Sequence, residues 1–290
     1  MSAFRLGVMG QPCLSRRNRD GLWSPVSLTR ANRSLLSLLA VHCERSPLPR
    51  ETVAEMLWPD CSEARSRSRL SSALWRLRKS IGPDAPVLET DGCIGLLRAP
   101  VLRVDLWCLR RAAGRVRTRP AETWTRRQIA ALDLAMQFRS GPFLSEVDGE
   151  WTAAARQSCA ELYETALECL MRFYRNRGDC HRSIDAARSL VRQDPYREDI
   201  HAALIELYAE AGQRARAISQ YQHCCEILRT DLGVAPAGEI EASLTRALGR
   251  NAPAAIPADL AALVGEMDAA LDRLHQQMRS LKSVLGALSN

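Results

Sequence analysis

The stretch from Asp60 to Ile81 concentrates cationic and small polar side chains on a segment with helical periodicity. Leu70, Leu74 and Leu77 recur every three or four residues and form one apolar stripe, which predicts a helix with one buried side. Arginines between short polar residues suit a DNA groove, where a guanidinium reaches phosphates and guanine edges. The candidate DNA contacts are Arg65, Arg67, Arg69, Ser72, Arg76, Arg78 and Lys79, with Arg98 further along the chain.

The start of this helix is marked by Asp60, which follows Pro59 and precedes Glu63 by three residues. That spacing is typical of a capping box and predicts a helix from about Cys61 to Ile81. On this stretch alone, groove binding competes with an ordinary amphipathic surface helix whose charges keep it in water. The rest of the chain has to decide between the two.

The charge distribution favours groove binding. The chain has 290 residues and a formal net charge of +7. Residues 1–103 carry 16 Arg and Lys against 9 Asp and Glu, whereas the remaining residues carry 24 of each sign. The excess positive charge therefore lies in the first third, which indicates a polyanionic partner for that third.

The elements before the cationic helix follow from short apolar patterns. Phe4 to Met9 alternates and predicts a strand, Gln11 to Gly21 is polar and basic and predicts a loop, and Val26 to Leu28 predicts a second strand. Thr29 is expected to cap a helix that runs through His42. A second helix is expected to start near Pro49, a residue suited to the first helical position.

After the cationic helix, two short apolar runs flank a turn signal. Val87–Thr90 and Ile94–Arg98 surround Asp91-Gly92, which predicts a hairpin. The order of strands, three helices and a hairpin is that of a winged helix, in which the third helix enters the major groove and the hairpin "wing" lies beside it.

Residues 1–100 also carry motifs of a known family. The motifs are Ser34–Ala40 (SLLSLLA), Glu55–Asp60 (EMLWPD) and Trp75–Lys79 (WRLRK). They resemble the winged helix of OmpR-type response regulators, and most closely the variant at the head of the SARP family of antibiotic regulatory proteins. The family places an aromatic residue in the second wing strand, where this chain has Cys93–Leu96 (CIGL).

From Val104 onward the chain is neutral in charge and helical in pattern. Asp105 to Ala113 predicts one helix, and Pro120 to Phe138 contains another. A repeat of 34 residues follows, which with Tyr, then Gly, then an apolar second helix is the tetratricopeptide signature. The pairs that share this spacing are Tyr174 and Tyr208, Gly178 and Gly212, Arg182 and Arg216, and Ile184 and Ile218.

This region resembles the bacterial transcriptional activator domain that follows the winged helix in the same family. The matching segments are Val104-Asp105, Gly141–Leu144, Asp194–Glu198, Ala211–Tyr221 and Leu232–Pro236. The resemblance implies binding to direct repeats in double-stranded DNA near a promoter and recruitment of RNA polymerase. The expected domains are a winged helix over residues 1–100, an activator domain over 101–250, a linker over 251–257 and a C-terminal helix over 258–290.

The C-terminal segment has apolar residues in two registers of seven. This heptad seam predicts a coiled coil and hence a homodimer, and the alternative is a terminal helix folded back on the repeats. The seam residues are Leu260, Val264, Met267, Leu271, Leu274, Met278, Leu281, Leu285 and Leu288.

Sequence signatures of an enzyme, a cofactor or a metal site are missing from the chain. Asp179, Cys180 and His181 adjoin one another, but a turn between repeats needs polar residues, and Cys224-Cys225 is more consistent with packing than with a redox switch. No apolar run reaches the ~20 residues that span a bilayer. With no signal peptide, we expect a cytoplasmic protein that does not contact membranes.

The sequence therefore predicts a mainly α protein with an N-terminal winged helix-turn-helix and small β-strands, then tetratricopeptide-like repeats, then a C-terminal helix. The predicted function is that of a sequence-specific DNA-binding transcription regulator, of the activator type. The rival hypothesis is a protein-interaction adaptor that does not bind specific DNA.

Overall fold

A computed structural model describes residues 3–82, 84–119, 123–139 and 141–249. The linker and the heptad segment lie outside these residues. The fold is mainly helical, as predicted. The strands are β1 (Phe4–Gly7), β2 (Cys13–Arg17), β3 (Trp23–Val26), β4 (Leu48–Pro49), β5 (Val87–Thr90), β6 (Cys93–Leu96) and β7 (Leu102–Val104). The helices are α1 (Arg30–His42), α2 (Arg50–Leu57), α3 (Glu63–Ile81), α4 (Asp105–Arg117), α5 (Arg126–Met136), α6 (Glu150–Asn176), α7 (Cys180–Gln193), α8 (Glu198–Glu210), α9 (Arg214–Ile227) and α10 (Gly238–Gly249), with a π-helix over Leu228–Leu232 between the last two.

The N-terminal sheet has the strand order β3-β2-β1-β7. The loop predicted over Gln11 to Gly21 is wrong, because β2 lies inside it and pairs antiparallel with both β1 and β3. Only Leu14 of β2 is fully buried, so pairing with two neighbours rather than its own apolar pattern defines this strand. The parallel partner of β1 is β7, which follows the β5–β6 hairpin in the chain.

The three helices of the winged helix contribute residues to the same apolar core as this sheet. The predicted cap of α1 is present, since Thr29 Oγ1 accepts a hydrogen bond from the Asn32 amide at 3.3 Å. The predicted start of α3 at Cys61 is too early: the Cys61 amide donates to the Trp58 carbonyl at 3.2 Å in a turn, and the helix begins at Glu63. The turn therefore replaces the capping box expected at Asp60.

The wing is a hairpin of β5 and β6, and β4 pairs with β6 on its other side. Asp91 and Gly92 have φ values of 49° and 74°, as a two-residue turn with positive φ at both positions requires. The Gly92 carbonyl accepts a hydrogen bond from the Arg50 amide at 2.9 Å. The wing tip is thus joined to the start of α2.

The winged helix and the helices that follow it share one apolar core, which includes Trp107, Leu144 and Trp151 beside residues of α1 and α3. The indole N–H of Trp107 donates to the Ala40 carbonyl at 2.7 Å. The Leu144 amide donates to the Val8 carbonyl at 3.1 Å. Within the first compact unit, which ends at Ile200, the winged helix is therefore anchored on the helices behind it.

One buried carboxylate supports this junction. Asp105 Oδ2 accepts hydrogen bonds from the Val8 and Met9 amides, both at 2.8 Å, and Oδ1 accepts one from the Leu106 amide at 2.6 Å. Burial raises the pKa of Asp105 to about 6, against the opposing effect of these hydrogen bonds. The carboxylate thus accepts hydrogen bonds both from the backbone N–H groups that follow β1 and from one at the start of α4.

The repeat appears as two helical hairpins with the same turn. In α6–α7, Gly178 has φ 72° and the Asp179 amide donates to the Tyr174 carbonyl at 3.0 Å. In α8–α9, Gly212 has φ 73° and the Gln213 amide donates to the Tyr208 carbonyl at 2.7 Å. Glycine reaches this left-handed conformation without a steric penalty, which explains its recurrence at 34 residues.

A second compact unit begins at His201. Inside it, α9 and α10 pack against each other, and Arg246 of α10 forms an ion pair with Glu206 at 3.0 Å. Of the helices in the described ranges, none has both the length and the apolar character needed to cross a membrane.

Candidate nucleic-acid interface

The outward side of α3 carries cations that point away from the core. Leu70 and Leu77 are buried and fix the rotation of the helix. That rotation exposes Arg65, Arg76 and Lys79. Among the residues that the structure describes, these three cations have no acidic partner, so their charge is available to a ligand. The exposed hydroxyl of Ser72 lies on the same face.

Other predicted contacts on α3 already have intramolecular partners. Arg67 pairs with Glu63 one turn earlier, and Arg78 pairs with Glu89 of the wing. Arg69 lies with Nη1 at 3.1 Å from the sulfur of Cys61, in the turn before the helix. Arg67 and Arg78 therefore have acidic partners, whereas Arg69, like Arg65 and Arg76, has none among the described residues and contacts only a thiol.

Glu89 of β5 connects three elements of this surface. Besides Arg78, it accepts a hydrogen bond from Arg50 Nη1 at 2.7 Å, and Arg50 Nη2 donates to Ser71 Oγ at 3.2 Å. The carboxylate thus fixes the wing against the start of α2 and the last turn of α3. Sequence reasoning missed both Arg50 and Glu89, although an acidic residue in a strand beside a basic helix is a usable signal for such a bridge.

Arg98, the remaining predicted contact, lies apart from the α3 cations. It follows the end of β6 and donates a hydrogen bond to the Arg45 carbonyl. Together with Arg45, Arg103 and Arg111 it lines a cavity of about 560 Å³ beside α4. The structure does not bring Arg98 to the face of α3.

Trp75 is a further residue of the α3 face that sequence reasoning assigned only to a family motif. Its side chain is 61% exposed, and the Lys79 ammonium lies 5.0 Å from the centre of its ring. Trp75 stands outside the stripe of Leu70, Leu74 and Leu77, and this offset in the sequence could have indicated its exposure.

The residues considered for other chemistry have structural partners. Asp179 caps α7 by accepting a hydrogen bond from the Arg182 amide at 3.2 Å. None of the ten cysteines, all of which the structure describes, forms a disulfide, and burial raises the pKa of Cys43 and Cys169 to about 11. Within the described ranges, no cluster of three or more His, Cys, Asp or Glu is suited to a metal ion.

The family is identified by a match over the part of the chain that forms the helical hairpins. Residues 104–248 match the bacterial transcriptional activator domain, and this match spans half of the 290-residue chain. The chain belongs to the bacterial transcriptional activator domain family. Its members are transcription regulators rather than enzymes, and the predicted SARP-type transcriptional regulator is confirmed at that level.

A solved structure of EmbR from Mycobacterium tuberculosis, in complex with a low affinity phosphopeptide, is similar to this family member. The two are 20% identical and superpose with a TM-score of 0.66, over 94% of this chain and 72% of that chain. At this identity the likeness shows the fold alone. No curated protein matches the chain.

Proposed function

We propose that the chain is a sequence-specific regulator that binds double-stranded DNA by inserting α3 into the major groove. The observation that carries the proposal is the row of exposed cations on α3, which have no acidic partner among the described residues. Exposed guanidinium and ammonium groups bind phosphates and base edges, and a surface with charges of one sign attracts a polyanion to it.

The positions of these side chains support different kinds of DNA contact for different residues. Arg65, Ser72, Arg76 and Lys79 face outward and would reach bases or phosphates. Arg67 and Arg78, which pair with Glu63 and Glu89, would contact phosphates, and so would Arg69, which lies on the same face as Arg65 and Arg76. The Glu51 and Thr52 amides in the first turn of α2 would bind a phosphate as a helix N-terminus does, since the Arg50 amide already donates to Gly92. Arg98, which lies beside α4, would contribute less to DNA binding than the α3 cations.

Selection from a random duplex library with the full-length chain tests this proposal. We expect enrichment of a direct repeat, and loss of enrichment when Arg65, Arg76 and Lys79 are replaced by Ala together. A charge-matched control replaces Arg115, Arg126 and Arg127, which are exposed on α4 and α5, and should select the same site. Absence of any selected duplex at low salt would instead favour the protein-interaction adaptor.

We further propose that the regulator activates transcription by recruiting RNA polymerase in the cytoplasm. The support is the family membership and the two helical hairpins, since arrays of such hairpins present extended surfaces to protein partners. Transcription in vitro from a promoter that carries the selected site should rise when the chain is added to RNA polymerase. Unchanged or lower transcript would contradict activation.

We also propose that the heptad segment joins two copies into a homodimer, which would raise the effective concentration of the second winged helix at a direct repeat. The support is the seven-residue spacing of the apolar seam. Sedimentation of the full-length chain against a truncation that ends at Pro253 should give a dimer and a monomer. The same number of subunits in both would contradict the coiled coil and favour a helix folded back on the repeats.

A further inference from the structure

The exposed indole on α3 is unlike the other tryptophans whose burial anchors the fold. Trp107, Trp124 and Trp151 are 5%, 6% and 9% exposed, whereas Trp75 is 61% exposed. An indole contributes stability through burial, and Trp75 gives up most of that contribution. Its position therefore needs an explanation other than packing within the described chain.

Trp75 stands at the centre of the outward face of α3. Ser68, Ser72, Trp75 and Lys79 follow one another at intervals of four, three and four residues, so they form one row on the helix. The two serines are short, and the indole therefore projects beyond them. The Lys79 ammonium lies 5.0 Å from the ring centre, which holds the ring beside a cation.

The charges around the ring favour DNA over an apolar protein surface. Arg65 and Arg76 are exposed on one flank, and Lys79 is against the ring itself. The acidic residue of α3, Glu63, lies in its first turn and is paired with Arg67. A partner must therefore offer negative charge around an apolar spot, and a major groove does so, with phosphates along its edges and methyl groups on its floor.

We propose that Trp75 reads thymine on the floor of the major groove and is a specificity-determining residue of this regulator. An indole has an apolar face and one N–H donor, and thymine presents there a C5 methyl group and the O4 acceptor. Of the four bases only thymine offers both features. This inference rests on the proposed DNA-binding function, which supplies the groove.

The experiment compares thymine with deoxyuridine, which keeps O4 and lacks only the methyl group. In the duplex selected by the full-length chain, each thymine is replaced by deoxyuridine in turn. One position per half-site should weaken binding about fourfold, the contribution of one buried methyl group. Trp75→Ala should bind the thymine duplex on the order of tenfold more weakly and be insensitive to the replacement.

Two further variants separate base reading from other effects. Trp75→Phe keeps an apolar ring and should recover most of the discrimination between thymine and deoxyuridine. Leu22→Ala removes another exposed apolar residue of the first unit, outside α3, and should leave the affinity and the discrimination unchanged.

The possible failures of the two proposals are distinguishable. Equal sensitivity of the wild type and Trp75→Ala to deoxyuridine, or no sensitivity in either, would overturn the reading of thymine by Trp75 while DNA binding stands. An unchanged selected site and affinity for Trp75→Ala, with impaired transcription in vitro, would also overturn it and would assign the indole to a protein partner. Failure of the wild type to bind any duplex would overturn the proposed function itself.

Discussion

Charged residues in the body of the first unit have hydrogen-bond and ion-pair partners, whereas cations on the outward face of α3 are exposed and lack acidic partners in the part of the chain that the structure describes. In the body, Asp105 accepts three backbone hydrogen bonds, and Arg197 contacts Glu168 and Asp199, each at 2.6 Å. On α3, Arg65 and Arg76 are exposed and have no acidic partner among the described residues.

This difference separates charges that stabilise the fold from charges that are available for binding. A buried or paired charge has exchanged its water for protein partners, and its removal leaves those partners unsatisfied. An exposed unpaired charge contributes little to folding but binds a polyanion when one arrives. Substitutions in the two regions should therefore affect two different measurements.

The largest effect is expected at Asp105. Asp105→Ala leaves the Val8, Met9 and Leu106 amides without an acceptor in the core, and we expect a loss of about 3 kcal/mol in the free energy of unfolding. Urea unfolding of the full-length chain measures it. Affinity for the selected duplex should not change at temperatures where the variant is folded. A loss below about 1 kcal/mol would contradict the role assigned to this carboxylate.

The same residue predicts a pH dependence of stability. The pKa of Asp105 is raised to about 6 in the fold, so folding favours its protonated form. This contribution is complete below the ordinary pKa and is lost as the pH rises through about 6. Relative to Asp105→Asn, the wild type should lose on the order of 2 kcal/mol between pH 4 and pH 7. If the unfolding free energy of the wild type, relative to that of Asp105→Asn, stayed constant or rose between pH 4 and pH 7, the pKa of Asp105 would not be raised in the fold.

Arg197 should show the next effect. Its guanidinium pairs with Glu168 and Asp199, and these partners raise the pKa of Arg197 and lower that of Asp199. Arg197→Ala should cost about 1.5 kcal/mol of unfolding free energy, because Glu168 keeps only the longer contact with Arg172, at 4.0 Å, in a half-buried position. Arg65→Ala, measured alongside, should change stability by less than about 0.5 kcal/mol. Equal losses of unfolding free energy in Arg197→Ala and Arg65→Ala would contradict the distinction between paired charges in the body and unpaired charges on α3.

Arg76→Ala should give the converse result. We expect about tenfold weaker binding to the selected duplex, with a free energy of unfolding within about 0.5 kcal/mol of the wild type. Arg98→Ala should weaken binding about twofold, since Arg98 lies beside α4 rather than on the α3 face. A larger effect from Arg98 than from Arg76 would contradict the assignment of the interface to α3.

The smallest effect is expected at Glu89, where the two regions meet. Glu89→Gln removes the charge that holds Arg50 and Arg78, which adds free positive charge beside α3. Binding to random duplex should strengthen about threefold, and the preference for the selected site should fall. A stronger preference would mean that Glu89 opposes specific binding.

The sequence predicted most of the elements whose signals are local, although a turn replaces the capping box expected at Asp60 and α3 begins at Glu63. The cap at Thr29 and the turn at Asp91-Gly92 depend on side chains within a few residues, and both are present. Gly178 and Gly212, which are 34 residues apart, likewise predict the same turn at the end of a helix in each hairpin, and both have positive φ.

The remaining features depend on partners far along the chain. β2 was predicted as a loop because its pairing with β1 and β3, rather than its own residues, defines it. The pairing of Arg78 with Glu89 separates that arginine from Arg76, although both have the same type and a similar position in the sequence. Side-chain partners of this kind follow only from the packed structure.

The salt dependence of DNA affinity tests the central claim most directly. If about six cations neutralise phosphates, the affinity of the full-length chain for its selected duplex should fall on the order of a thousandfold between 50 and 200 mM salt. Replacing Arg65, Arg76 and Lys79 by Ala should lower the slope of log affinity against log salt by about 0.9 for each of them that contacts a phosphate, and the control that replaces Arg115, Arg126 and Arg127 should not change it. An equal slope in the wild type and both variants would contradict the account.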